Sequence, residues 1–200
     1  MKLHNLQQGS EEWHQLRLGK LTASKAQPIA TAGKGLETLC FEKVAELLTG
    51  KAPEGYTNAD MERGNELEEM ARNSYEMETG IVAKEVGFVE ESEYVGCSPD
   101  GLIGDEGMLE IKCPNDKNFT IYLYDGKVDK QYYWQMQMQM LVAGRKWVDY
   151  VVFNPNFPTP IIIQRVEANE KDMDKIRKGL DKGQEMIADI INKIREGGEK

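Results

Sequence analysis

Residues 97–114 read CSPDGLIGDEGMLEIKCP. The stretch holds Asp100, a turn-like GDEG at 104–107, and then Glu110 and Lys112 with only Ile111 between them. Apolar residues on both arms make it a β-hairpin. Residues two apart on a strand share a face, so Glu110 and Lys112 point one way and Ile111 the other. A pairing symmetric about GDEG sets Gly101 opposite Glu110 and leaves Asp100 on the wrong face. A shift of one residue, through a bulge or an altered loop, brings Asp100 beside Glu110 or Lys112. Pro99 and Gly101 favour such an irregularity, and any chemistry that joins the three charged groups requires it.

The sequence around the hairpin predicts both helices and strands. Residues 9–19 form a short helix opened by Ser10 and closed near Gly19, followed by a turn and a second helix start at 22–24. Leu36, Leu39, Cys40, Val44 and Leu47 recur at helical spacing before Gly50, and Leu67, Met70, Ala71 and Tyr75 do so before Gly80. The period then shortens, and residues 81–91, 93–102, 108–113, 146–154 and 159–168 read as strands. Residues 132–144, YYWQMQMQMLVAG, alternate like a strand, but Gln, Met and Leu are good helix formers and Gly144 fits a stop, so a helix is expected. Trp134, Met136, Met138 and Met140 are assigned to core packing. Met173, Ile176, Leu180, Ile187, Ile190, Ile191 and Ile194 mark a long amphipathic C-terminal helix. The expected architecture is α/β, a mixed central sheet flanked by helices, in one domain over residues 1–200.

Composition narrows the chemistry. Hydrophobic residues make up 40% of the 200 and charged residues 30%, an ordinary soluble balance. No apolar run reaches the length of a membrane span and the N-terminus lacks a signal-peptide core, so a cytoplasmic protein is expected. Cys40, Cys97 and Cys113 form no CxxC pair, and His4 and His14 are the only histidines. This usage argues against a disulfide framework, a zinc site and an iron–sulfur cluster. Any metal must be held by oxygen, which selects Mg²⁺ or Mn²⁺. The formal net charge of −9 argues against nucleic-acid binding unless basic groups are gathered in one groove.

Glu68 supplies a third carboxylate, three residues before Ala71 and seven before Tyr75, near the apolar side of its helix. Carboxylates converging in a partly buried place repel one another, and a divalent cation relieves that repulsion. A lysine alongside can orient a water and stabilise charge growing on a phosphate. Together these groups suit metal-assisted phosphodiester hydrolysis. Taken singly, Asp-Gly is ordinary turn chemistry and Glu-x-Lys an ordinary solvated face; their order and spacing carry the signal.

That order, a helical Glu, then SPDG, then EIK, resembles the PD-(D/E)xK nuclease superfamily. The blocks GSEEWHQLRLGKLTAS, RGNELEEMARNSYEMETG, CSPDGLIGDEGMLEIKCP and WQMQMQMLV resemble, in sequence and spacing, the phage lambda exonuclease family of YqaJ-type viral recombinases. The resemblance spans residues 7–155. It implies a restriction-endonuclease-like fold and a Mg²⁺-dependent 5′-to-3′ exonuclease, with Mn²⁺ as the alternative ion. Such an enzyme degrades one strand of double-stranded DNA from its end to mononucleotides and leaves a 3′ single strand for a phage annealing protein. By the same resemblance Asp100, Glu110 and the Ile111 carbonyl are metal ligands, Glu68 completes the site, Lys112 is the catalytic lysine and Gln135 the active-site glutamine. Arg17 and Ser24 match the pocket for the 5′-terminal phosphate, whose chemistry suits a guanidinium and a hydroxyl. A ring-shaped trimer in the bacterial host cytoplasm is implied as well, with basic residues lining its channel. The alternatives are a structure-selective or restriction-type endonuclease, and a non-catalytic DNA-end-binding protein.

Overall fold

The computed structural model describes residues 1–52 and 59–198, with side chains described outside 59–65 and 198. The first half of the chain runs β1 (Lys2–His4), α1 (Glu11–Arg17), β2 (Leu21–Thr22), a 3₁₀ turn (Ala23–Lys25), α2 (Ala26–Thr31), α3 (Lys34–Thr49) and α4 (Ala59–Thr79). Then come β3 (Phe88–Ser92), β4 (Val95–Cys97), β5 (Gly101–Ile103) and β6 (Gly107–Lys112). The chain ends with α5 (Asp116–Asp125), α6 (Lys130–Ala143), β7 (Trp147–Phe153), β8 (Ile161–Glu167) and α7 (Glu170–Gly198).

Local chemistry explains several boundaries. Ser10 caps α1, its Oγ accepting from the Trp13 N–H at 3.2 Å. Residues 132–144 are helical as expected, and Gly144 ends α6 in the left-handed conformation at φ +63°. The sequence reading omitted α5, which starts directly after Pro114 with Asn115 accepting from the Asn118 N–H. It also omitted β1.

The expected mixed sheet is realised as two four-stranded sheets, ordered β1-β3-β4-β2 and β5-β6-β7-β8. In each, one parallel pair, β2 with β4 and β6 with β7, stands among antiparallel pairs. The predicted strand 93–102 is divided between the sheets, and residues 98–100 form the junction. Pro99 has no N–H to continue a ladder, which gives the break a physical cause. The predicted strand 81–91 is regular only from Phe88; before it, Lys84 makes a single antiparallel bridge to Leu102.

The central strands of the second sheet, β6 and β7, are buried on both faces. Met108, Tyr150 and Val152 face the main core, where α6 contributes Met136, Met138 and Met140. Leu109, Ile111, Val151 and Phe153 face Ala71 and Tyr75 of α4. α6 packs on α2, α7 and both sheets, so its Gln137 and Gln139 are buried along with its methionines. α7 places Met173, Ile176, Leu180 and Ile187 in the same core. Each such side chain contributes about 1.5–3 kcal/mol relative to exposure. Among the described residues no helix is long and apolar enough to cross a membrane.

Candidate active site

The hairpin at the start of the second sheet adopts the one-residue offset that the chemistry requires. Its pairs are Gly101↔Leu109, Leu102↔Met108 and Ile103↔Gly107, closing a loop of residues 104–106. An odd loop continues the register to Asp100 opposite Glu110. Gly104 takes the loop's positive φ of +50°. Gly107 opens the strand, paired with Ile103 and Trp147, and a Cβ there would lie 2.3 Å from the Trp147 ring. The Ile111 N–H then donates to Asp100 Oδ2 at 2.6 Å.

Glu110 projects from β6 toward α6 and is only 1% exposed. Three donors hold its carboxylate. Lys112 Nζ and Gln135 Nε2 each donate to Oε1 at 2.5 Å, and Gln139 Nε2 donates to Oε2 at 2.7 Å. Gln135 and Gln139 are one helical turn apart, so the QMQMQ pattern already contained both on one face. The sequence reading named Gln135 and missed Gln139. The carbonyl of Gln139, by contrast, is buried and takes no hydrogen bond among the described residues, which costs about 1–3 kcal/mol.

The electrostatics follow from this crowding. Burial raises the Asp100 carboxyl well above its usual range, and the charges of Glu110 and Glu68 push it the same way. Burial opposes the charge on Lys112, yet Glu110 and Asp100 together outweigh it and hold the ammonium above its ordinary range. The same ammonium lies 5.1 Å from the centre of the Tyr132 ring.

Glu68 comes from α4, on the opposite face of the second sheet. It lines the same cleft as Asp100, Ile111, Lys112 and Tyr132, a space of about 810 Å³. Arg72 Nη2 donates to Glu68 Oε1 at 3.1 Å, one turn along the helix. Two turns beyond Glu68, the Tyr75 hydroxyl donates to Asp149 Oδ2 at 2.8 Å and fastens α4 to β7. Burial is the main cause that raises the Glu68 carboxyl, opposed by Arg72 and Lys112.

Among the described residues, no three His, Cys, Asp or Glu side chains stand close enough to hold an ion as they are placed. The donor chemistry nonetheless fits a hard cation that retains several waters. Asp100 and Glu68 are acids whose charge burial penalises, and the Ile111 carbonyl follows Glu110 directly on β6. A carboxylate offers about four lone-pair directions, and the donors on Glu110 use three of them.

The phosphate pocket expected around Arg17 falls beside Ser98, two residues before Asp100 of this cleft. Arg17 Nη1 donates to Ser98 Oγ at 3.0 Å, and its guanidinium lies 4.1 Å from the centre of the Trp13 ring. Trp13 Nε1 also donates to Ser98 Oγ, again at 3.0 Å. With both lone pairs engaged, the Ser98 hydroxyl has its own proton left to donate. Among the described residues no carboxylate forms an ion pair with Arg17, and burial lowers its pKa to about 10. Ser98 is two residues before Asp100, so the sheet junction ties pocket and cleft together. Ser24 does not open a helix: it lies exposed in the 3₁₀ turn, its hydroxyl 3.3 Å from that of Thr22, and α2 begins at Ala26. The pairing of Thr22 with Gly96 runs this turn's strand beside the one that leads to Ser98.

A fold of this topology, with its acidic hairpin and lysine opening on one cleft, defines a nuclease of the PD-(D/E)xK type. The YqaJ-like viral recombinase domain matches residues 12–146, and the chain belongs to that family. It is similar to the crystal structure of an alkaline exonuclease, LHK-Exo, from Laribacter hongkongensis. The two share 35% identity over 95% of this chain and 99% of that one, with a TM-score of 0.86. LHK-Exo in complex with dAMP matches equally well, at 35% identity and TM-score 0.86 over 95% of this chain and 99% of that one. A phage-related exonuclease from Haemophilus somnus 129PT shares the fold at 18% identity and TM-score 0.64, over 88% of this chain and 96% of that chain. No curated protein matches the chain.

Proposed function

We propose that this protein is a Mg²⁺-dependent 5′-to-3′ exonuclease of linear double-stranded DNA, with Mn²⁺ as an alternative ion. It removes mononucleotides from one strand and leaves a 3′ single strand for a phage single-strand annealing protein. The observation that carries the reading is the half-buried Arg17 guanidinium, stacked on Trp13 and free of any ion pair among the described residues. It donates to Ser98, two residues before Asp100, and the one carboxylate that acts on it among the described residues, Glu46, does so without forming an ion pair. A partly desolvated guanidinium with no ion pair gains from an anion that arrives from outside. A 5′-terminal phosphate is such an anion, and an endonuclease has no need of one. The similarity to an alkaline exonuclease, and to its complex with a nucleotide, supports the same activity.

Asp100, Glu110, Glu68 and the Ile111 carbonyl would hold the ion, which polarises the phosphoryl oxygen when bound. Lys112, anchored on Glu110, presents its ammonium to the cleft, where it orients the attacking water and stabilises negative charge on the phosphate. Gln135 binds the same Glu110 oxygen as Lys112 and so sets the lysine's position as well. Ser24 and Arg17 hold the end of the strand. A trimeric ring would collect basic residues around the DNA and reconcile its binding with the net charge of −9.

A polarity assay tests the proposal. Duplex DNA labelled at either end is incubated with Mg²⁺, and the 5′ label should be released first, as a mononucleotide. EDTA should stop the reaction, and closed circular duplex should survive it. Earlier release of the 3′ label, or cutting of the circle, overturns the reading.

A further inference from the structure

We infer that Gln139 is a positioning residue that fixes the plane of the Glu110 carboxylate and thereby the cation site. The terminal torsion of a glutamate is broad and roughly two-fold, so packing alone does not set the carboxylate plane. Lys112 and Gln135 both bind Oε1, and two donors on one oxygen leave the group free to swing about that oxygen. Gln139 supplies the contact to Oε2, at 2.7 Å from the buried interior of α6. With donors on both oxygens the rotation is removed.

The other half of the Gln139 amide distinguishes this role from packing. Gln139 is 1% exposed and its neighbours on α6, Met138 and Met140, fill the core. A methionine at 139 would match that surrounding without burying a carbonyl that finds no hydrogen bond among the described residues. The amide therefore serves through its N–H, and the N–H is spent on Glu110. Groups that orient a ligand in this way commonly change metal affinity or activity by about 10- to 100-fold when removed.

The inference rests on the proposed nuclease only for its activity arm; its cation arm stands apart. The Gln139→Met variant is compared with the wild type by calorimetric titration of DNA-free protein with Mn²⁺, alongside turnover of 5′-phosphorylated duplex. Mn²⁺ affinity should fall about 10-fold or more and kcat about 10- to 100-fold, with KM for DNA ends and the circular dichroism spectrum in EDTA unchanged. Weakened Mn²⁺ binding supports the inference even if the wild type cuts no DNA, in which case the nuclease reading fails alone. Unchanged Mn²⁺ affinity, or a wild type without a Mn²⁺ site, overturns it, whatever happens to turnover. Should the variant fail to fold, the ¹⁵N-labelled wild type decides: the Gln139 side-chain amide protons should resist exchange and shift on Mg²⁺ addition. Solvent-like exchange with no shift overturns the inference.

Discussion

Asp100 and Ile111 are locked across the hairpin, the Ile111 amide donating to Asp100 Oδ2 at 2.6 Å, so the strand that bears Glu110 and Lys112 also aims the aspartate. Asp100→Asn keeps an acceptor for that amide but removes the charge. Its thermal midpoint should stay near wild type while single-turnover digestion slows about 10²- to 10³-fold. Asp100→Ala also abandons the amide, and should unfold about 1–3 kcal/mol more easily in urea. Equal stability of the two variants would remove the orienting role given to this hydrogen bond.

The proposed function gives Lys112 the chemistry rather than the grip on DNA. Lys112→Ala leaves Gln135 and Gln139 on the Glu110 carboxylate, so the cleft keeps its shape. Turnover should drop by at least about 10²-fold, while fluorescence anisotropy with Ca²⁺ reports end binding within a few fold of wild type. Undiminished digestion would refute the assignment of the lysine.

The proposed role of Arg17 makes digestion sensitive to what terminates the strand. The wild type should digest 5′-phosphorylated ends faster than 5′-hydroxyl ends, and Arg17→Ala should treat both alike. Arg17→Lys should not restore the preference, because an ammonium cannot reproduce the planar fork that reaches Ser98 and lies against Trp13. The check is a rate ratio on two otherwise identical duplexes.

Acid should loosen the first sheet through Glu90. Hydrogen bonds from Lys20, and then from His4, hold this carboxyl below its ordinary value of 4.5. Lys20 Nζ donates to Oε1 at 2.8 Å, and His4 Nε2 lies 2.9 Å from Oε2. A group depressed in the folded state contributes stability above its unfolded pKa and loses it as pH falls through the folded one. The urea midpoint should therefore decline from about pH 5 downward, and less steeply in Glu90→Gln. Parallel declines in the two proteins would exclude Glu90 as the cause.

The order of Glu68, Asp100, Glu110 and Lys112 was legible in the sequence because each residue type has a job that few others can do. The register that joins them was legible only as a requirement. Nothing local to the hairpin distinguishes Gly107 of the strand from Gly104 of the loop; the reason for the former, the Trp147 ring that excludes a side chain at 107, lies some forty residues on. Gln139 was hidden by the alternation of its segment, which conceals that a helix brings every fourth residue back to one side. Division into two sheets was equally out of reach, since Val95–Cys97 and Gly101–Ile103 look like one strand until Pro99 is seen to separate them. α5 escaped because its buried residues, Phe119 and Tyr122, are too few to set a period.

The closed loop at 104–106 has a consequence for how this lineage can change. Opposed residues of an antiparallel pair share a face whatever the length of the loop, so residues added at the tip would leave Asp100 beside Glu110, whereas a one-residue slip of β5 against β6 would turn it outward. Length should therefore vary at this tip and not within the paired residues 101–103 and 107–109, whose spacing to Asp100 and Glu110 fixes the arrangement.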